Sequence, residues 1–111
     1  MTVQQLIDSH LFELVNQGRK TEQEINRPFC CDLLSIAMGR APTGSAWVTV
    51  MGNMNTLAVA SLAEVACIIL AEGVRLDETA MEKAREQEIT VLATEEPVFE
   101  TAQKIWERMN G

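Results

Sequence analysis

Strand-like and helix-like patterns of hydrophobic positions alternate along the chain from about residue 46 to its end. Residues 47–51 are rich in β-branched and aromatic side chains, which is typical of a strand. Residues 66–70 are apolar at every position, as in a central strand that is covered on both faces. Residues 89–93 predict a further strand. This alternation indicates βαβ units with right-handed crossovers and a mainly parallel sheet.

Helical patterns separate these strands. One covers residues 56–65, and a second runs from residue 77 to about residue 88, with Asp77 as its N-cap. A last helix follows Pro97, which stands in the first turn, where proline is tolerated. Side chains at helical spacing predict the inward face of this last helix: Phe99, Ala102, Ile105, Trp106 and Met109.

The first half of the chain has shorter elements. Thr2 predicts the N-cap of a short helix, and strands are expected at residues 11–15 and 24–30. Asp32 is expected to cap another short helix, which Gly39 would end. With 111 residues the chain is long enough for one domain. We therefore predict a single small α/β domain, with a mainly parallel sheet of about five strands and helices on both faces.

One predicted helix does not fit a monomer. Residues 56–65, with the sequence TLAVASLAEV, are apolar nearly all round. A helix of this kind is normally buried on more than one side. The sheet can cover one side, and in so small a protein a second subunit would cover the other. The pattern therefore predicts a homodimer with this helix in or near the interface.

Composition and charge exclude several functions. The net charge is −7, and a surface this acidic repels nucleic-acid phosphates and anionic lipid. The longest apolar runs are interrupted by Glu64 and Glu72, so no segment is expected to span a membrane. The N-terminus lacks the basic start and apolar core of a signal peptide, and the three cysteines have no disulfide spacing. We expect a cytoplasmic protein that binds neither nucleic acid nor membranes.

Catalytic and metal-binding signatures are missing. The chain has no phosphate-binding GxxxxGK[ST] loop and no GxGxxG turn. His10 is the only histidine and lies at the end of a polar turn, so no nucleophile has a base beside it. The adjacent Cys30 and Cys31 would point to opposite faces of a strand and cannot easily chelate one ion. We expect no enzyme activity, no cofactor and no metal site.

The cysteines leave one alternative open. Packing alone explains all three, and Cys67 lies within the most apolar strand. Cys31 could instead be an exposed redox-responsive thiol, because it precedes the expected helix cap at Asp32 and would lie near a helix N-terminus.

The candidate ligand site follows from the fold. In open α/β sheets, ligands bind beyond the carboxyl ends of the strands, where helix N-termini offer free N–H groups. No lysine or arginine lies in the turns expected there, so the guest should be small, polar and close to neutral, with a nucleoside or an adenine mononucleotide first. The alternative is that Asn53 or Asn55 merely caps a helix. The candidate ligand-binding residues are Asp32, Gly52, Asn53, Asn55, Glu72, Gly73, Thr94 and Glu95.

Three segments resemble the small DRTGG-domain proteins, which are often encoded beside iron-only hydrogenase subunits in anaerobic bacteria. They are residues 31–35 (CDLLS), 47–55 (WVTVMGNMN) and 57–62 (LAVASL). The opening MTVQQL resembles the start of the HPr kinase N-terminal domain, which is not catalytic. The resemblance implies a single DRTGG-like domain over residues 1–111. It also implies a regulatory or dimer-forming module, with a possible protein partner in a redox or hydrogenase system.

The motif that names the family is altered in this chain. The family has Gly-Asp-Arg where this chain has Gly52-Asn53-Met54, and Thr-Gly-Gly where it has Ala71-Glu72-Gly73. The strands and helices of the domain therefore match the family better than the residues of its motif do. From the sequence we expect a regulatory ligand-sensing module. The alternative is a structural adaptor that binds no small molecule and docks a protein through an acidic helix face of Glu78, Glu82 and Glu86.

Overall fold

A five-stranded sheet forms the centre of the fold, and the computed structural model describes all 111 residues. The strand order is β1-β5-β4-β3-β2. Strands β2 to β5 are parallel to their neighbours, and only β1 runs antiparallel, beside β5. The predicted α/β fold with a mainly parallel sheet is therefore confirmed. The strands are β1 (Glu13–Asn16), β2 (Pro28–Cys30), β3 (Ala46–Thr49), β4 (Cys67–Leu70) and β5 (Val91–Ala93).

Helices cover both faces of the sheet. Strands β2, β3, β4 and β5 lie side by side in sequence order, so the three connections between them all advance across the sheet in the same direction. Right-handed crossovers that advance in one direction place their helices on the same face of the sheet. These three are α2, α3 and α4, while α1 and α5 cover the opposite face. None of the five is both long and apolar enough to cross a membrane. The helices are α1 (Val3–Asp8), α2 (Leu34–Arg40), α3 (Met54–Ala63), α4 (Glu78–Glu86) and α5 (Val98–Asn110).

Alternate residues of the central strands point into two separate cores. On one face, Trp47 and Ile68 pack beneath α2, α3 and α4. On the other face, Val48 and Ile69 pack beneath α1 and α5. Every residue of β3 and β4 is buried, as the continuous apolar run in β4 predicted.

Three side chains cap helices through the N–H groups that a first turn leaves unpaired. Thr2 and Gln5 form a reciprocal capping box at α1. The Asp77 carboxylate accepts from the Ala80 amide at 2.7 Å and caps α4. Asn53 caps α3, which is the role that the alternative interpretation gave it. The expected caps at Thr2 and Asp77 are confirmed.

The predicted cap at Asp32 is wrong. Helix α2 starts after Leu33, which provides no side-chain cap, and it ends at Arg40, one residue beyond Gly39. The Asp32 carboxylate instead accepts hydrogen bonds from Thr49 and Val50. The parallel register brings these donors at the end of β3 beside the end of β2, and both bind the Oδ1 atom of Asp32.

The second strand is shorter than expected. The regular register between β2 and β3 begins at Pro28 and Ala46. Before it, the Arg27 carbonyl accepts from the Ala46 amide and the Asn26 amide donates to the Gly44 carbonyl, both at 2.9 Å, without forming a regular strand. Glu24 forms an isolated bridge with Thr2 instead. The strand does not start earlier because its partner segment is a turn, in which the Ser45 amide donates to the Pro42 carbonyl at 3.0 Å.

The predicted inward face of α5 is wrong at both large aromatic residues. Phe99 is 71% exposed and Trp106 is 52% exposed. The face that meets the core is rotated by about one residue, so that Thr101 becomes buried and donates its hydroxyl to the Pro97 carbonyl at 2.8 Å. The inward residues are Val98, Thr101, Ala102, Ile105 and Met109.

Helix α3 lies between α2 and α4, which pack along its two sides. Ala60 is only 1% exposed because it faces the core, whereas Leu62 is 71% exposed. The neighbouring helices α2 and α4 therefore bury most of the apolar surface of α3 that we expected a second subunit to bury. The homodimer stays a prediction, and it now depends on the outer surface of α2 and α3.

Candidate ligand site at the carboxyl edge of the sheet

The loops that follow the parallel strands meet in neighbouring pairs at one edge of the sheet. The loop after β2 contacts the end of β3, since the Asp32 carboxylate accepts from the Thr49 hydroxyl at 2.7 Å and from the Val50 amide at 2.9 Å. The loop after β3 contacts the loop after β4, and a Cβ atom placed on Gly52 would lie 2.5 Å from the Arg75 carbonyl oxygen.

The loops after β4 and β5 are hydrogen-bonded directly. The Glu72 amide donates to the Glu96 carbonyl at 2.8 Å, and the Gly73 amide donates to the Thr94 carbonyl at 3.0 Å. Gly73 has a φ of +75°, and a Cβ atom there would lie 2.5 Å from a carboxylate oxygen of Glu95. A side chain at Gly73 would therefore displace Glu95 from this edge.

The structure does not gather all eight candidate residues into one cavity. We call the cavity at this edge the notch; its volume is about 190 Å³. Gly73, Thr94 and Glu95 line it, whereas the other five candidates, Asp32, Gly52, Asn53, Asn55 and Glu72, lie outside its walls. The remaining notch residues are Leu11, Phe12, Glu13, Arg75 and Ala93.

Arg75 is the residue that sequence reasoning missed. It follows Gly73 by two positions, so its place in the loop after β4 is readable from the sequence. Its partner is not, because Glu13 is 62 residues away and reaches Arg75 only through the antiparallel pairing of β1 with β5. The Arg75 guanidinium donates to the Glu13 carboxylate at 2.6 and 3.4 Å. This hydrogen bond and the Glu13 charge raise the pKa of Arg75.

Most of the backbone N–H groups that we expected to be free at the helix N-termini already donate to side chains of this protein. Asn53 accepts from the amides of Asn55 and Thr56, at 2.9 and 3.2 Å. The Thr94 hydroxyl accepts from the Glu96 amide at 3.2 Å. A ligand at this edge would therefore bind mainly to side chains.

The charges around the notch favour a neutral or cationic guest. Arg75 supplies one positive charge, while Glu13 and Glu95 supply two negative charges. Glu13 already pairs with Arg75, which leaves the Glu95 carboxylate as an acceptor for hydroxyl, amide or ammonium groups. The premise that no basic side chain lies at this edge is wrong, because Arg75 lines the notch, but the charge of Arg75 is already paired with Glu13.

The three cysteines are free thiols in different environments. Burial raises the pKa of Cys67 to about 12. Partial burial, followed by the charges of Asp32 and Cys31, raises the pKa of Cys30. Both shifts lower the fraction of the thiol that is present as thiolate, which is the reactive form. The reason given for a reactive Cys31, a helix cap at Asp32, is also wrong.

Glu78, Glu82 and Glu86 are all exposed along α4, and none of them belongs to an ion pair. A solvated helix face and a docking face for a basic partner both fit this arrangement.

Comparison with known proteins connects this fold to a family. A family model described as "DRTGG domain" matches residues 13–107. Among solved structures, the chain is similar to the CBS and DRTGG domains of the regulatory region of a Clostridium perfringens pyrophosphatase, complexed with its activator diadenosine tetraphosphate. The identity is 16% and the TM-score is 0.72, over 93% of this chain and 44% of that one. This likeness establishes the fold, and the chain spans less than half of that structure. No curated protein sequence matches the chain significantly.

Proposed function

Because the chain belongs to the DRTGG domain family, we propose that it is a non-catalytic regulatory module that senses a small polar ligand at the carboxyl edge of its sheet. The DRTGG domain of the similar pyrophosphatase structure lies in a regulatory region bound to a nucleotide activator, which supports a regulatory role here. The observation that carries the proposal is the notch, where Arg75, Thr94 and Glu95 face one cavity between the loops after β4 and β5.

The ligand would be a nucleoside or a related adenine compound. A cavity of about 190 Å³ is below the usual size of pockets that enclose a whole small ligand, so it would hold one part of the guest. The Glu95 carboxylate can accept from ribose hydroxyls, and the Arg75 guanidinium can donate to ring or sugar acceptors. The rest of the ligand would lie over the exposed Asn53 and Asn55.

A thermal-shift series tests this proposal with adenosine, adenosine monophosphate and diadenosine tetraphosphate at millimolar concentration. A ligand present at 100 times its dissociation constant adds about 2.7 kcal/mol to the free energy of unfolding. Glu95→Gln should reduce the shift, while Glu86→Gln on α4 serves as the matched control and should retain it. The absence of any shift with these compounds, or an equal shift in Glu95→Gln, would overturn the proposed site.

Asn53→Ala is not a suitable binding variant. Asn53 caps α3, so its loss lowers the free energy of unfolding by about 1 kcal/mol even without a ligand. Asn55→Ala is the better choice, because the Asn55 side chain is exposed and does not cap the helix.

We also propose that the module is a homodimer that packs through the outer surface of α2 and α3. These two helices contain one charged residue between them, Arg40. In a chain with a net charge of −7, two copies repel each other least where charge is absent. Large apolar side chains are exposed on these helices and the residue before α2: Leu33, Ile36, Met38, Met54 and Leu62.

A structural adaptor is the second candidate, and the exposed aromatic side chains of α5 favour it. Phe99 and Trp106 are seven positions apart, so they lie on one side of the helix. Aromatic residues of this kind are frequent anchors in protein interfaces. The partner would belong to a redox or hydrogenase system, on the strength of the resemblance described above. A photo-crosslinking residue in place of Trp106 should capture that partner, while the same residue in place of the exposed Gln17, which lies on neither α4 nor α5, should not.

A further inference from the structure

A second cavity, of about 420 Å³, lies at the amino edge of the sheet, opposite the notch. Its walls come from the C-terminal ends of α3 and α4, the residues that lead into β4 and β5, and the loop after β1. We call it the amino-edge cavity. It shares no residue with the notch.

The loop wall of this cavity is held in place at both ends. The Gly18 amide donates to the Thr90 hydroxyl at 2.9 Å, and the Val3 amide donates to the Gln23 carbonyl at 3.0 Å. A Cβ atom on Gly18 would overlap the Glu88 carbonyl, so the loop lies directly against the end of α4. The cavity is therefore formed before any ligand arrives, which lowers the cost of binding.

One wall of the cavity is negative. Helices α3 and α4 both direct their C-terminal ends towards it, and a helix C-terminus carries a partial negative charge. The Glu64 carboxylate adds a full charge at the end of α3 and belongs to no ion pair. Glu88 at the end of α4 is neutralised by Arg19, whose Nε and Nη2 atoms lie 2.5 and 2.8 Å from its carboxylate oxygens.

The loop supplies a positive charge to the same cavity. Lys20 lines it and, like Glu64, belongs to no ion pair. The four charged residues of the lining, Arg19, Lys20, Glu64 and Glu88, sum to zero. Net charge therefore favours neither an anion nor a cation. Two unpaired groups of opposite sign that face one cavity fit a molecule with both charges.

We propose that the amino-edge cavity binds a small zwitterion of the α-amino-acid class. The ammonium group would bind the Glu64 carboxylate beside the helix ends, and the carboxylate group would bind the Lys20 ammonium. The half-buried apolar side chains of Val65 and Ile89 would contact the side chain of the guest. The volume is in the range of small-ligand pockets and is ample for an amino acid.

The test uses the intact chain and the standard L-amino acids at millimolar concentration, first by thermal shift and then by calorimetry of the best compound. Lys20→Met and Glu64→Gln should each weaken binding by roughly tenfold or more, a loss of about 1.4 kcal/mol. Glu82→Gln, an exposed site on α4 outside the cavity, is the matched control and should bind normally. Both binding variants change exposed side chains, so their melting temperatures without ligand should match that of the unmodified chain.

Modified ligands assign each contact. The amide of the best amino acid lacks the carboxylate, so Lys20→Met should not weaken its binding further. The N-acetyl compound lacks the ammonium, so Glu64→Gln should not weaken its binding further. If no amino acid binds, or if both variants bind as tightly as the control, the proposal is wrong. Neither result affects the notch, because the two sites share no residue.

Discussion

The Thr49 hydroxyl donates a 2.7 Å hydrogen bond to the Asp32 carboxylate and thereby joins the ends of β2 and β3. The same carboxylate oxygen accepts from the Val50 amide at 2.9 Å. One residue earlier, the Cys31 carbonyl accepts from the Trp47 indole at 2.9 Å. Because β2 is a three-residue edge strand, these bonds beyond its end add to the short ladder that pairs it with β3.

Replacement of Asp32 should therefore destabilise the fold although its side chain is exposed. Asp32→Ala removes a charged acceptor from two donors, and we expect the free energy of unfolding to fall by about 1.5–3 kcal/mol. Ser35→Ala, an exposed site on α2, is the control and should change it by less than about 0.5 kcal/mol. Denaturant titration measures both variants. A loss in Asp32→Ala no larger than in the control would mean that these bonds contribute little.

Two glycines should respond to alanine in opposite directions. Gly18→Ala places a Cβ atom on the Glu88 carbonyl, so we expect a loss of about 1–3 kcal/mol in the free energy of unfolding. Gly39 lies inside α2 with open space around its Cα, and Gly39→Ala should stabilise the protein by up to about 1 kcal/mol. Thermal unfolding of the two variants tests the pair. A stable Gly18→Ala variant would contradict the close packing of the loop after β1 against α4.

The dimer prediction depends on Leu62 rather than on Ala60. Leu62→Glu places an unpaired charge on the outer surface of α3, so it should convert a dimer to a folded monomer. Ala60→Glu would bury the charge inside the core and should unfold the chain instead. Sedimentation of the unmodified protein and of Leu62→Glu at micromolar concentration is the measurement. A monomer in both samples would exclude the α2–α3 interface.

Alkaline pH should weaken the fold through Cys67. The folded chain keeps this thiol neutral, with a pKa of about 12 against an ordinary value of 9.0. Between these values the unfolded state binds fewer protons than the folded state, so stability is retained below about pH 9 and declines above it. The decline reaches about 1.4 kcal/mol per pH unit for one group.

Cys67→Ala isolates this effect. The variant should be less stable at neutral pH, because it leaves a cavity in the core, but its stability should decline less steeply above pH 9. Urea unfolding at a series of pH values measures both slopes. Equal slopes would show that Cys67 does not titrate on unfolding.

The sequence by itself determined the fold class. Residues 66–70 are apolar at every position because β4 is buried on both faces, and the alternation of such runs with helical patterns distinguishes a parallel sheet from a helical core. Asp77 identified the start of α4 because capping is a local interaction between neighbouring residues. The candidate residues Gly73, Thr94 and Glu95 could be found because the ends of parallel strands share one edge of a sheet.

Only the tertiary structure decided how these elements meet. Asp32 was assigned to a helix cap from its neighbours in sequence, but the Thr49 hydroxyl and the Val50 amide at the end of β3 donate to it across the sheet. Arg75 pairs with Glu13 because β1 lies beside β5 at the edge of the sheet. The sequence around β1 does not indicate which strand will be its neighbour. The rotation of α5 that exposes Phe99 and Trp106 depends on which residues fit the core beneath it. Periodicity shows that a helix has an apolar side, but shape and long-range contacts choose the face that is buried.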